Sequence, residues 1–171
     1  MAIRNILHDG DPSLLKKSRV VTDFDRRLHL LLDDMRETMI EANGVGLAAP
    51  QVGVLRRAIL IIDLSKEDEQ AGNHIIEMIN PEILDSSCEE ADQEGCLSIP
   101  GVFGIVSRPH QLRVRAQDRK GKAFEMTVYG RTARAVCHEV DHLDGILFTK
   151  LAQRILTEEE LDRIAAEREG N

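Results

Sequence analysis

The 171 residues carry 22 Lys and Arg against 30 Asp and Glu, a formal net charge of −8, with 42% hydrophobic and 30% charged residues. This balance suits a globular domain able to bury roughly 70% of its unfolded surface, while the acidity and the near absence of aromatics (four Phe, one Tyr, no Trp) exclude general nucleic-acid binding and stacking platforms. No apolar run approaches the ~18 residues of a membrane span, residues 1–17 lack the apolar block of a signal peptide, and three cysteines point to a reducing, cytoplasmic setting.

The first predicted element is a helix from Asp23 to Asn43. Phe24, Leu28, Leu31, Leu32, Met35, Met39 and Ile40 form one apolar stripe, Thr22 and Asp25 read as its capping start, and Gly44 as its stop. Residues 44–53 (GVGLAAPQVG) read as a tight, shaped loop. Arg57 to Asp63 reads as a buried strand, Ser65 to Asn73 as a polar loop, and Ile75 to Leu84 as a strand interrupted near Pro81. Glu82 to Glu94 holds six acids and no base, the pattern of a solvated loop. Gln111 to Tyr129 alternates as a hairpin turning at Asp118 to Gly121. The eight Lys and Arg of residues 105–135 read as a solvated strand face, with an acidic docking partner as the alternative. A helix from Thr132 to Asp144, stopped by Gly145, and a last helix opened by a Thr157/Glu160 capping box complete one α+β domain over residues 1–171.

The sharpest chemical signal is His138-Glu139-Val140-Asp141-His142 inside a predicted helix. At about 100° per residue the two imidazoles stand roughly 40° apart and reach one metal, and Glu139 flanks them without being a ligand. Ala133, Val136, Val140 and Leu143 fall on the opposite, core-facing side. A catalytic metal needs a third protein ligand. Downstream, Glu158, Glu159, Glu160 and Glu167 are candidates, although the first three read as first-turn acids of the last helix. Upstream stand Cys88 in the acidic stretch, Cys96 between Gly95 and Pro100, and Cys137, which the helical wheel turns aside as a packing residue.

Three stretches, Gly44-Val45-Gly46-Leu47-Ala48-Ala49-Pro50-Gln51, Glu94-Gly95-Cys96-Leu97-Ser98 and His138-Glu139-Val140-Asp141-His142, resemble in order and spacing the three signature motifs of the bacterial peptide deformylases. The resemblance covers essentially the whole chain. It implies antiparallel strands packed around a central helix carrying the histidine motif, and hydrolysis of the N-formyl group of nascent N-formylmethionyl peptides to release formate. It further implies Cys96, His138 and His142 as metal ligands and Glu139 as the proton carrier. Gln51 and the Leu97 backbone N–H would stabilise the oxyanion, and Val45, Gly46 and Gly95 would line an extended peptide channel. A thiolate with two imidazoles suits several divalent metals. The resemblance implies Fe²⁺ in the cell, with Zn²⁺, Ni²⁺ or Co²⁺ in purified protein, a monomer, and proximity to the ribosome.

The chain departs from the usual pattern at Cys137, where most relatives carry Gln, and at Arg131-Thr132, where they usually carry Leu-Leu. Arg131, Arg134 and Ala135 share the histidine side of the helix. Arg131 and Ala135 are therefore expected beside the methionine pocket, with Arg131 altering its lining. Two rival readings stand beside this one: an endopeptidase with a glutamate as third ligand, and a catalytically silent relative that binds peptides or the ribosome.

Overall fold

A computed structural model of the chain describes residues 2–65 and 74–170; most of the polar loop expected over Ser65 to Asn73 lies outside them. Its strands form a six-stranded antiparallel sheet in the order β1 (Gly46–Ala48), β2 (Ala58–Ile62), β3 (Ile75–Cys96), β4 (Ile99–Gln117), β5 (Ala123–Tyr129), with β6 (Arg154–Ile155) on a separate stretch of β4. Three helices complete the α+β domain: α1 (Arg26–Glu41), α2 (Gly130–Leu143) and α3 (Glu158–Glu169).

The run Ala58–Ile62 is apolar at every position because both of its faces are covered. Leu60 and Ile62 pack with Leu28, Leu32, Met35 and Met39 of α1, while Ile59 and Ile61 pack with Ala133, Val136 and Leu143 of α2. The period of two along the strand thus divides the interior into an α1 core and an α2 core. A third cluster, built on Leu14, Ile99, Val106, Leu147 and Phe148, reaches the rim of Cys96.

Several boundaries differ from the sequence reading. Helix α1 begins three residues late because Asp25 is its cap, accepting from the backbone of Arg27 and Leu28; Thr22 only meets Asp23. At its far end Asn43, not Gly44, takes the left-handed conformation (φ 53°). Residues 44–53 are not a plain loop: they hold β1 and a 3-10 turn at Ala49–Val52. The interruption near Pro81 is a register shift between Ile79 and Glu82, with Asn80 at φ 51°, but the strand continues beyond it.

The largest correction concerns Glu82 to Glu94. This acidic stretch is ladder, paired with β4 from Glu82↔Arg115 to Glu94↔Gly104. Its carboxylates meet polar partners on the neighbouring strand: Glu82 with Arg115, Glu89 with Ser107, Glu90 with His110. Charges paired across strands make an acidic strand tolerable. The hairpin over 111–129 forms in the expected register, Gln111↔Tyr129 to Gln117↔Ala123. Helix α2 starts two residues early, at Gly130, and ends before Gly145 at φ 71°. The Thr157/Glu160 capping box forms as read.

Candidate active site

The third and last turns of α2 bring His138 and His142 to the end of β3, where Cys96 stands. The metal-binding atoms of Cys96, His138 and His142 all lie within 4.8 Å of one another. Cys96 Sγ is 3.3 Å from His142 Nε2 and also accepts from the Ser98 backbone at 3.4 Å. The glutamates weighed as alternative third ligands lie on α3, and among the described residues no other His, Cys, Asp or Glu joins the cluster. Of the two remaining thiols, Cys137 is buried in the α2 core, where desolvation pushes its pKa up to about 11, and Cys88 is exposed on β3.

A partner behind the cluster was missed by sequence reasoning. Glu94 Oε2 accepts from His138 Nδ1 at 2.8 Å, which commits the other ring nitrogen to the cluster. Glu94 is in turn held by both arms of Arg108, at 3.1 and 2.8 Å, and by Arg134 at 3.3 Å; Arg108 also reaches Asp141 at 2.6 Å. Arg108 and Arg134 therefore do not belong to a solvated basic face, and neither does Arg119, which pairs with Glu77 and Asp33. The available signal was Asp141, three residues after His138 and inside the motif, but its partner Arg108 lies 33 residues away in sequence.

The electrostatics follow from burial set against these partners. Desolvation raises the Glu94 carboxyl, but hydrogen bonds from His138 and Arg108 overcome it and hold the pKa at about 2. Burial lowers His138, yet Cys96 and Glu94 raise it further, to about 10. For His142 burial and the neighbouring His138 act together and drive the pKa down to about 3, leaving a neutral imidazole. Burial lifts Glu139 to about 7. The corner between Cys96, His138 and Glu94 thus attracts positive charge, while His142 keeps a lone pair.

Glu139 is only 5% exposed, and its Oε2 has no hydrogen-bond partner among the described residues. Its neighbour is Gly46: a Cβ built there would lie 2.6 Å from Oε1. Gln51, 1% exposed, accepts from the Ala48 backbone through Oε1 at 2.8 Å, which fixes the amide's orientation. Its Nε2 points to Ser98 Oγ at 3.2 Å and Cys96 Sγ at 3.6 Å. A groove of about 650 Å³ opens over the cluster. Val45, Gly46, Gly95, Cys96, Leu97, Arg131, Ala135, His138 and Glu139 all line it; Gln51 and His142 do not, reaching Cys96 from elsewhere. The structure thus gathers every sequence-predicted site residue at one place.

The chain matches the family model described as polypeptide deformylase over residues 3–157. It is 53% identical over 163 residues to a peptide deformylase of Caldicellulosiruptor bescii, covering 95% of this chain and 93% of that one. It is 45% identical over 161 residues to peptide deformylase 1 of Bacillus subtilis, covering 94% and 97%. The crystal structure of peptide deformylase from Thermotoga maritima superposes with a TM-score of 0.82 at 37% identity, over 90% of this chain and 100% of that one. With all three motifs converging on one cluster inside the matched span, this chain belongs to the polypeptide deformylase family.

Proposed function

We infer that Cys96, His138 and His142 hold one divalent cation in this deformylase, which hydrolyses the formamide of N-formylmethionyl peptides to formate and a free amino terminus. The observation that carries the assignment is the convergence of one sulfur and two imidazole nitrogens within 4.8 Å beside a buried carboxylate. The donor set fits: three protein ligands of N and S type are those of a catalytic site that keeps one position open. When bound, such an ion supplies Lewis-acid activation of water near pH 7.

The chain's own groups do the rest. Glu139 accepts the proton of the attacking water at its carboxylate and returns it to the departing amine, a role suited by a pKa near the working pH. Gln51 Nε2 and the Leu97 backbone N–H donate to the formyl oxygen as charge develops there. The Ala48 contact to Oε1 keeps the donating end of the Gln51 amide forward. Val45, Gly46 and Gly95 hold the peptide backbone extended, and Arg131 and Ala135 border the side-chain pocket. Glu94 fixes the His138 tautomer.

We assign Fe²⁺ as the cellular ion, with Zn²⁺, Ni²⁺ or Co²⁺ able to occupy the same donors in purified protein. The whole of residues 1–171 acts as one catalytic domain and as a monomer. Three unpaired thiols suit the reducing cytoplasm, where nascent chains leave the ribosome. The exposed Lys120 and Lys122 at the β4–β5 turn are the cations left to meet ribosomal RNA, since Arg119 is engaged.

Formate release from formyl-Met-Ala by the Fe²⁺-loaded chain tests the reading. Glu139→Ala is expected to slow turnover ~10²–10⁴-fold, and Cys96→Ala to lose the metal. No formate from the wild-type chain would favour a silent peptide binder. Unchanged metal content and peptide-bond cleavage in Cys96→Ala would favour an endopeptidase.

A further inference from the structure

The groove carries charge that the chemistry leaves unused. Arg131, Arg134, Ala135 and His138 recur at i, i+3, i+4 and i+7 of α2 and so form one stripe along the groove. Arg134 is spent on Glu94 and on the carbonyls of Val106 and Glu90. Arg131 is exposed and makes no hydrogen bond or ion pair among the described residues. Helix α3 adds Arg168 to the same lining, equally exposed and unpaired.

Among the described residues three acids oppose them. Glu94 is neutralised by Arg108, Arg134 and His138, and Glu139 stands at the reacting end. Of these only Asp92 remains in the outer groove, its carboxylate accepting from the Gln93 backbone at 2.7 Å. Among its described residues, a chain of net charge −8 therefore keeps two unpaired guanidinium groups against one carboxylate in the groove that would take the body of the peptide. Guanidinium forks match carboxylates.

We propose that Arg131 and Arg168 make this groove selective for formylmethionyl peptides with an acidic side chain shortly after the methionine. The proposal rests on the deformylase reading above and names the substrate class of that site. The seven residues from Arg131 to His138 span ~10 Å along α2. An extended peptide advances ~3.3 Å per residue, so the acid falls within three residues of the formylmethionine.

The test compares kcat/KM for formyl-Met-Ala-Ala-Ala peptides carrying Asp or Asn in turn at residues two, three and four, using the metal-loaded chain. At one position or more, Asp is expected to exceed Asn by about two- to fivefold, the range of exposed ion pairs. The preference is expected to shrink at about 0.5 M salt and to fall in both Arg131→Leu and Arg168→Gln. Equal rates for every Asp/Asn pair, or a preference unchanged in both variants, would overturn the proposal while formate release still upheld the deformylase reading. No formate from any peptide would remove both.

Discussion

Gly46→Ala isolates the placement of Glu139 from the metal ligands. The added Cβ would stand 2.6 Å from Glu139 Oε1, 2.9 Å from Cγ and 3.0 Å from Cδ. Unstrained contacts between carbons begin near ~3.5 Å, so the carboxylate must retreat by roughly 0.5–1 Å. Its Oε2 has no hydrogen-bond partner among the described residues, and burial leaves the groove as the direction of escape. A displacement of about 1 Å at a reacting group costs on the order of 10²-fold in rate. The fold loses little, because overpacking of ~1–3 kcal/mol is partly offset by ~0.5–1 kcal/mol from replacing a strand glycine. The three heavy atoms nearest the added Cβ all belong to Glu139, so metal content is expected to match the wild type. The assay is steady-state formate release, with bound metal and thermal unfolding measured on the same preparation. A kcat within about threefold of wild type at equal metal content would amount to under ~1 kcal/mol of barrier and would refute the steric argument.

Arg108→Leu takes the bidentate guanidinium from the buried Glu94, leaving it His138 and Arg134, and the ion pair from the half-buried Asp141, and is expected to cost ~3 kcal/mol in urea unfolding; a loss below ~1 kcal/mol would show that the network is not holding charge. Gln51→Ala is expected to lower kcat ~10²–10³-fold with little change in KM, and a pure KM effect would assign Gln51 to binding instead. Glu94 has a depressed folded pKa, so its stabilising contribution is full above the unfolded carboxylate range and is lost as pH falls toward about 2. The stability gap between wild type and Glu94→Gln is therefore expected to narrow from ~pH 4.5 downward; a gap that widens on acidification would contradict the sign.

Much of the fold is visible in the sequence wherever a residue's neighbours in the chain decide its state. The Thr157/Glu160 box is local, and it forms. The run over Ala58–Ile62 is legible as buried because no polar residue interrupts it. The acidic half of β3 is not legible, because what makes it a strand is a set of partners 18 to 33 residues onward: Ser107, His110, Arg115. Read alone, six acids without a base resemble solvated coil, and only the facing strand reverses that. Arg108 fails in the same way. Composition assigns it to a basic surface, whereas pairing with Glu94 and Asp141 buries it to 7% side-chain exposure.

The end of β3 and the turn after it explain why the second motif has its form. Glu94 and Gly95 are the last regularly laddered residues; the register shifts between Gly95 and Cys96, the strand ends at Cys96, and Leu97 and Ser98 turn the chain into β4. Three residues of this stretch each meet a different element of the site: Glu94 orients His138, Cys96 faces His142, and Ser98 accepts from Gln51. Between them Gly95 must stay bare, because a Cβ there would stand 2.6 Å from the Phe103 ring across the ladder. One strand end and its turn thus set the base behind one imidazole, the thiol between two, and the hydroxyl that steadies the amide. A single-residue insertion between Glu94 and Ser98 would displace part of this set from its partners whatever its chemistry. The spacing is therefore as necessary as the residue types, and it becomes intelligible only once the acidic stretch before it is known to be strand.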